Sequence, residues 1–230
     1  MARNQNQKNG IPNTLLKFKS LDKDSIRNIK ETIENNKIRC SKLWRLNDAM
    51  EGVYMLSVND LSKLDSIYYE KDQYFICSFT HPDSLESPLF WGYYANGFKG
   101  IAIEIELHDD DKKHFRKVKY VKSSPSIVNN PNMQNDAAII KIITTKLKCW
   151  EPENEYRYII KENVAEKVYY NATIKKIYIG YPYRNTVNCE QITENSEDLI
   201  NYHKCRTELE QFCETRSMCF ENFPRKTCFS

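Results

Sequence analysis

The apolar positions of the chain switch between two periods. Residues 100–107 alternate, with Ile101, Ile103 and Ile105 on one side and Ala102, Glu104 and Glu106 on the other, the period of a half-buried strand. Residues 73–80 carry a continuous apolar run instead, the mark of a strand covered on both faces. Shorter strands are predicted at 15–20, 37–41, 116–121, 155–160, 168–170 and 174–180. Helical spacing is read at Ile26, Ile29 and Ile33, after a cap at Asp22 or Asp24 and before Asn35-Asn36. Further helices are predicted at 56–69, 136–148 and 195–216, the last with Leu199, Tyr202, Leu209 and Phe212 inward. Ser87-Pro88 can open and Asn96-Gly97 can close a two-turn helix that carries Trp91, Tyr93 and Tyr94. Residues 43–52 read as a loop, whose Asn47 and Asp48 can bond their own backbone.

This order of elements predicts an α+β fold: a mixed, mostly antiparallel sheet with flanking helices and a C-terminal helix. The expected organisation is a disordered lead over 1–12, an α+β domain of catalytic type over 13–185, and a helical extension over 186–230 packed on the same domain.

Composition changes this picture little, and charge somewhat more. With 40% apolar and 28% charged residues the chain has a globular composition. A net charge of +3 is too small to imply nucleic-acid binding. Its distribution is uneven, however: residues 112–150 hold nine Lys/Arg and one acid, Asp136, whereas residues 83–111 hold seven acids and one base, Lys99. The basic run, headed by Lys112, Lys113, Arg116, Lys117 and Lys119, has the character of a phosphate-facing surface; a solvated strand and helix face is the plainer explanation. The eight cysteines include no Cys-x-x-Cys pair. Cys205, Cys213, Cys219 and Cys228, with His203, fit no zinc-ligand spacing, so no metal is expected. The polar N-terminus lacks an apolar signal core and no run is long enough to span a bilayer. The expectation is a cytoplasmic protein with reduced thiols and no membrane partner.

Three constellations could carry chemistry. Glu155 and Arg157 share one face of a strand, and Glu153 joins them if the strand starts early. Such a trio is either an ordinary ion-pair group or a site in which Arg157 orients a carboxylate. Trp91, Tyr93 and Tyr94 form either a platform for a flat ligand ring or plain core. At 100° per residue Trp91 and Tyr94 lie about 60° apart, so the expectation is that these two line a pocket near Glu155 while Tyr93 packs inward. Lys17 and Lys19 share one strand face, suited to an anion or to an exposed edge. The chain has no phosphate-binding glycine loop, nucleophile elbow or zinc-protease helix motif.

These segments together resemble a large family of uncharacterised bacterial domains. The matching stretches are Lys17-Phe18-Lys19; Asn47-Asp48 with Glu51; Cys77-Ser78-Phe79; Trp91 with Tyr94-Ala95 and Gly100; and Trp150 with Glu153, Glu155, Tyr156 and Arg157. They run from about residue 15 to residue 180. Lys19 stands where that pattern has Arg, Leu46 where it has Phe, and Ala49 where it has Pro. A more distant resemblance is to ADP-ribosyltransferases of the toxin and DNA-modifying kind, with a basic first strand, a central aromatic motif and a late Glu-x-Glu strand. It implies NAD as substrate and an ADP-ribosyltransferase-like arrangement. It implies further that Glu155 stabilises the developing cation and that Glu153 positions the acceptor, with Arg157 orienting a carboxylate as the strand pattern allows. Lys17 or Lys19 would hold the pyrophosphate, and Trp91 or Tyr94 would stack the nicotinamide. The function so implied is an NAD-consuming transferase or hydrolase, a toxin or anti-phage effector. The competing reading is a non-enzymatic nucleotide- or nucleic-acid-sensing module of a bacterial defence system.

Overall fold

A computed structural model describes residues 10–46, 54–56, 64–124, 126–127, 135–162, 167–182 and 197–223. The expected lead over 1–12, apart from its last three residues, and the loop motif at Asn47, Asp48 and Glu51 lie outside these residues. The chain forms two compact units: residues 39–79 and 108–170 build the first, residues 13–38, 80–107 and 171–230 the second. Each is α+β, and most strand pairings are antiparallel.

The second unit starts with β1 (Thr14–Ser20) and α1 (Ile26–Asn35). Asp22 fixes the entry to α1, its Oδ1 accepting from the Ser25 N–H at 2.8 Å. Asn36 ends the helix in a left-handed conformation, φ 53°, which asparagine tolerates better than most residues. Ile26, Ile29 and Ile33 are buried as the spacing predicts. After a short helix (Pro88–Tyr94) the strand Gly100–Glu106 pairs antiparallel with all seven residues of β1, from Thr14↔Glu106 to Ser20↔Gly100. Its other edge takes Thr173–Gly180, which pairs in parallel with Phe220–Phe223. The Phe220–Phe223 strand is not predicted from the sequence. The C-terminal helix, Glu197–Thr215, buries Leu199, Tyr202, Cys205, Leu209 and Cys213. Phe212 lies on its half-exposed face instead, under the Arg216 guanidinium at 3.8 Å from the ring centroid. Gly100 and Gly180 allow close backbone approach: a Cβ at Gly100 would collide with the Lys19 carbonyl and Ala95, and one at Gly180 with the Phe98 carbonyl.

The first unit holds, in chain order, β2 (Lys37–Arg39, of which only Arg39 belongs here), β3 (Ser41–Lys42), β4 (Met55–Leu56) and α2 (Leu64–Asp72). β5 follows at Tyr74–Thr80, with Thr80 already in the second unit. The predicted strand over 37–41 is thus two strands broken at Cys40, and the predicted helix over 56–69 starts only at Leu64 among the described residues. In the second unit, the Pro88–Tyr94 helix is α3 and the Gly100–Glu106 strand is β6. α4 (Asp109–Lys112) then precedes β7 (Phe115–Lys117), β8 (Lys119–Val121) and β9 (Ser126–Ile127). α5 (Asn135–Ile143), β10 (Thr145–Leu147), β11 (Glu155–Lys161) and β12 (Tyr169–Asn171, its last residue already in the second unit) complete the unit.

The sheet order β5-β11-β7 puts β11 in the middle, and β3 adds antiparallel to β5. One face packs on α5 through Tyr74, Ile76, Ile159, Ile139, Ile142 and Ile143. The other carries an aromatic cluster of Phe79, Phe115, Tyr158 and Tyr170, with Tyr158 and Tyr170 ring centroids 4.5 Å apart.

The helix predicted over 136–148 stops at Ile143. Two β-branched residues follow, and their hydroxyls turn back on the helix: Thr144 donates to the Ile140 carbonyl and Thr145 to that of Lys141, both at 2.6 Å. Such back-bonding competes with helix continuation. The chain passes instead into β10, parallel to β8, which carries Lys146 to the start of β11.

Candidate functional site: a buried charge quartet

Residues 148–153 form a tight 3₁₀ turn, closed by Asn154 in a left-handed conformation at φ 40°. That reversal brings Glu153 back beside the first residue of β11, so Glu153 joins the group without being part of the strand. Glu155 and Arg157, two residues apart, lie on the same face as expected. Arg157 is fully buried. Its Nε donates to Glu155 Oε1 at 2.8 Å, its Nη2 to Oε2 at 3.0 Å and its Nη1 to the Ile143 carbonyl. This is the two-pronged geometry that arginine alone supplies.

Lys146 completes the group. Its Nζ lies 2.7 Å from Glu153 Oε2 and 3.0 Å from Glu155 Oε2. Lys146, Glu153 and Glu155 are each less than a tenth exposed. Two cations and two carboxylates are therefore balanced in one buried cluster. Tyr120 accepts the Glu155 backbone N–H at 2.9 Å, and the Ser78 hydroxyl bonds the Glu155 carboxyl.

Burial alone would raise the Glu155 pKa. Arg157, Lys146 and Ser78 together outweigh it and hold the carboxyl at about 2, against an ordinary 4.5. Glu155 is thus ionised at neutral pH, and a group so acidic is no general base. It acts as a fixed negative charge. The Trp150 ring stands by the same cluster, 5.6 Å from Lys146 Nζ, and is half-buried. A buried ion group of this kind marks either a functional site or a structural network.

The other predicted site residues belong to the second unit. Trp91 is a core residue, which overturns its expected place in a pocket: it is 0% exposed. Its ring lies nearly parallel to Phe98 and Phe223, with centroids 5.1 and 5.2 Å away, and edge-on to Phe18 at 5.2 Å. Its indole N–H donates to the Leu85 carbonyl at 2.8 Å. No face is left for a nicotinamide. Tyr93, expected to pack inward, is 75% exposed. The reason is the helix period: Phe90 and Trp91 take the inward positions of α3, leaving Leu89 and Tyr93 outward. Tyr94 is half-buried beside Phe90, at 5.7 Å. Lys17 and Lys19 are half-buried on β1, opposite Ile103 and Ile101.

The second unit also holds a shallow cleft of about 240 Å³ between the β1–α1 turn, the turn at Asn96 and Lys99, and the start of the C-terminal helix. Asp22, Lys23, Asp24 and Tyr202 line it; Lys17, Lys19, Trp91 and Tyr94 do not. Its volume is below the range of about 300–1,000 Å³ usual for ligand pockets.

Of the basic run, Lys113, Arg116, Lys117 and Lys119 are exposed, on and beside β7 at the end of the β5-β11-β7 order. Lys112 is tied to Asp109 at 2.8 Å. Among the described residues no group of three or more His, Cys, Asp or Glu is placed to hold a metal ion. No helix among them is long and apolar enough to cross a membrane. No protein-family model matches the chain, and no curated protein or solved structure matches it either.

Proposed function

We propose that the chain is an NAD-consuming transferase or hydrolase of ADP-ribosyltransferase-like arrangement, with its reacting end at residues 150–157. The observation that carries the reading is Lys146, whose ammonium sits between Glu153 and Glu155 at 2.7 and 3.0 Å with the Trp150 ring alongside. The Trp-x-x-Glu-x-Glu stretch thereby places an aromatic surface and two carboxylates around one positive charge. Breaking the nicotinamide–ribose bond creates a positive charge at the ribose carbon, and fixed carboxylates stabilise it. Lys146 occupies the place of that cation in the resting protein. Glu155, clamped by Arg157, supplies the permanent charge; Glu153, held by the turn instead of the arginine fork, is the carboxylate that meets substrate and acceptor. Trp150 takes over the stacking role that Trp91 cannot fill.

Binding tests this directly. A ligand that binds only the folded state raises the melting temperature as its concentration rises. NAD should do so for the wild type and far less for Trp150→Ala. The absence of any shift at millimolar NAD, with the protein folded, would remove the reading.

A second reading rests on a different observation. The quartet's carboxylates are buried, whereas Lys113, Arg116, Lys117 and Lys119 stand exposed on and beside β7, at the end of the β5-β11-β7 order. This favours a sensing module that grips a phosphate backbone. Binding of labelled DNA or RNA, weakening steeply with salt through counterion release, would support it; no binding at low salt would exclude it.

A further inference from the structure

β3 and β5 are registered by Ser41↔Ile76 and Lys42↔Phe75. The pairing ends at Ser41, and continuing its register by one residue sets Cys40 opposite Cys77. The Cys40 N–H donates to the Val168 carbonyl at 2.9 Å, so it points away from β5. That is the orientation of a non-hydrogen-bonded position, where facing Cα atoms approach to about 4.5 Å. Disulfides span Cα separations of about 4.4–6.8 Å, so the backbone needs little movement to accept one.

The side chains agree with the register. Lys42 lies over the Phe75 ring, 4.0 Å from its centroid, so the neighbouring cross-strand pair meets on one face of the sheet. Cys77 alternates with Phe75 and Phe79 on β5, and Phe79 belongs to the aromatic cluster on that face. Both sulfurs stand near the Tyr158 hydroxyl, whose pKa is raised by burial first and by Cys40 and Cys77 in addition. Both cysteines are buried, and both are in the thiol form.

We propose that Cys40 and Cys77 are a reversible oxidation site, closing a cross-strand disulfide between β3 and β5 when the protein meets a small-molecule disulfide. The exchange balances in two steps. The Cys40 thiolate attacks one sulfur of the small disulfide, forming a mixed disulfide and releasing one small thiol. The Cys77 thiolate then attacks the Cys40 sulfur, forming the Cys40–Cys77 bond and releasing the second small thiol. The two cysteines are oxidised, the small disulfide is reduced, and the protons pass to the released thiols. Access comes from opening of β3, which is only two residues long. The bond would tether this strand to the one that carries Ser78, the hydroxyl partner of Glu155.

The test uses the full reduced chain under native conditions with glutathione disulfide, followed by alkylation, digestion and mass spectrometry. The expected product is a joined peptide pair containing Cys40 and Cys77, restored to two alkylated peptides by reductant. Exposed Cys149 and Cys219 serve as internal controls and should carry mixed disulfides. In Cys77→Ala the joined pair should vanish while the controls react as before. The proposal fails if Cys149 and Cys219 are fully converted while Cys40 and Cys77 remain alkylatable thiols. It fails equally if either one links elsewhere, or if the pair joins only in denaturant, where the native register is absent.

Discussion

Replacing Arg157 by Met removes a guanidinium that is 0% exposed and makes two bonds to Glu155 and one to the Ile143 carbonyl. The space stays filled, but Glu155 keeps only Lys146 as a cationic partner, and Lys146 is shared with Glu153. The buried cluster then carries a net negative charge. Breaking a buried ion pair from one side costs about 3–5 kcal/mol, because the remaining charge is uncompensated. Glu155→Gln should cost a similar amount for the opposite reason, leaving an excess positive charge. The double variant Glu155→Gln/Arg157→Met restores the balance, with Lys146 and Glu153 facing each other. It should therefore cost about as much as one single change, which makes the coupling energy about 3 kcal/mol or more. Urea denaturation of the four proteins measures all of this. Additive single effects would refute the argument, because they would mean that the two residues do not share one buried charge balance.

Other outcomes follow from the same geometry. The Glu155 pKa is lowered on folding, so its contribution is present above the unfolded value of about 4.5 and is lost as pH falls toward 2; the loss amounts to about 3 kcal/mol. Denaturation measured at pH 6 and near pH 3 should show about 2 kcal/mol of that loss in the wild type, and a stability unchanged between the two would place Glu155 outside the ion group. Trp91→Ala should cost about 3–5 kcal/mol, and Tyr93→Ala less than about 0.5 kcal/mol; equal costs would contradict the assignment of Trp91 to the core and Tyr93 to the surface. Neutralising Arg116 and Lys117 together should leave the melting temperature near that of the wild type; if the chain binds nucleic acid there, the slope of log affinity against log salt should fall by about 2.

The sequence announces the parts of this protein whose signals are local. The alternation at Ile101, Ile103 and Ile105 reports a strand with one apolar face, and the helix at Ile26, Ile29 and Ile33 starts and stops near its polar punctuation. Glu155 and Arg157 are legible as partners because the strand period is two. Glu153 joins them for another reason than expected: not an earlier strand start but a turn closed by Asn154 at positive φ. Lys146 is not legible as their partner, because residues 136–148 read as one helix, and only the Thr144-Thr145 pair hints at a break. The burial of Trp91 depends on Phe98 and on Phe223 from an unpredicted strand. No local pattern reports such a contact. The division of the site residues is of the same kind: Glu153, Glu155 and Arg157 fall in the first unit and Lys17, Lys19, Trp91 and Tyr94 in the second.

The most direct measurement of the proposed activity is release of nicotinamide. Purified protein is incubated with NAD and free nicotinamide is quantified over time, for the wild type and for Glu153→Gln, with the fold of each checked by its melting temperature. The account predicts steady release by the wild type and a loss of about 10²–10³-fold in Glu153→Gln, the scale of one lost electrostatic group. No release by the folded wild type, alone or with protein and nucleic-acid acceptors, would contradict it; so would unchanged release by a folded Glu153→Gln.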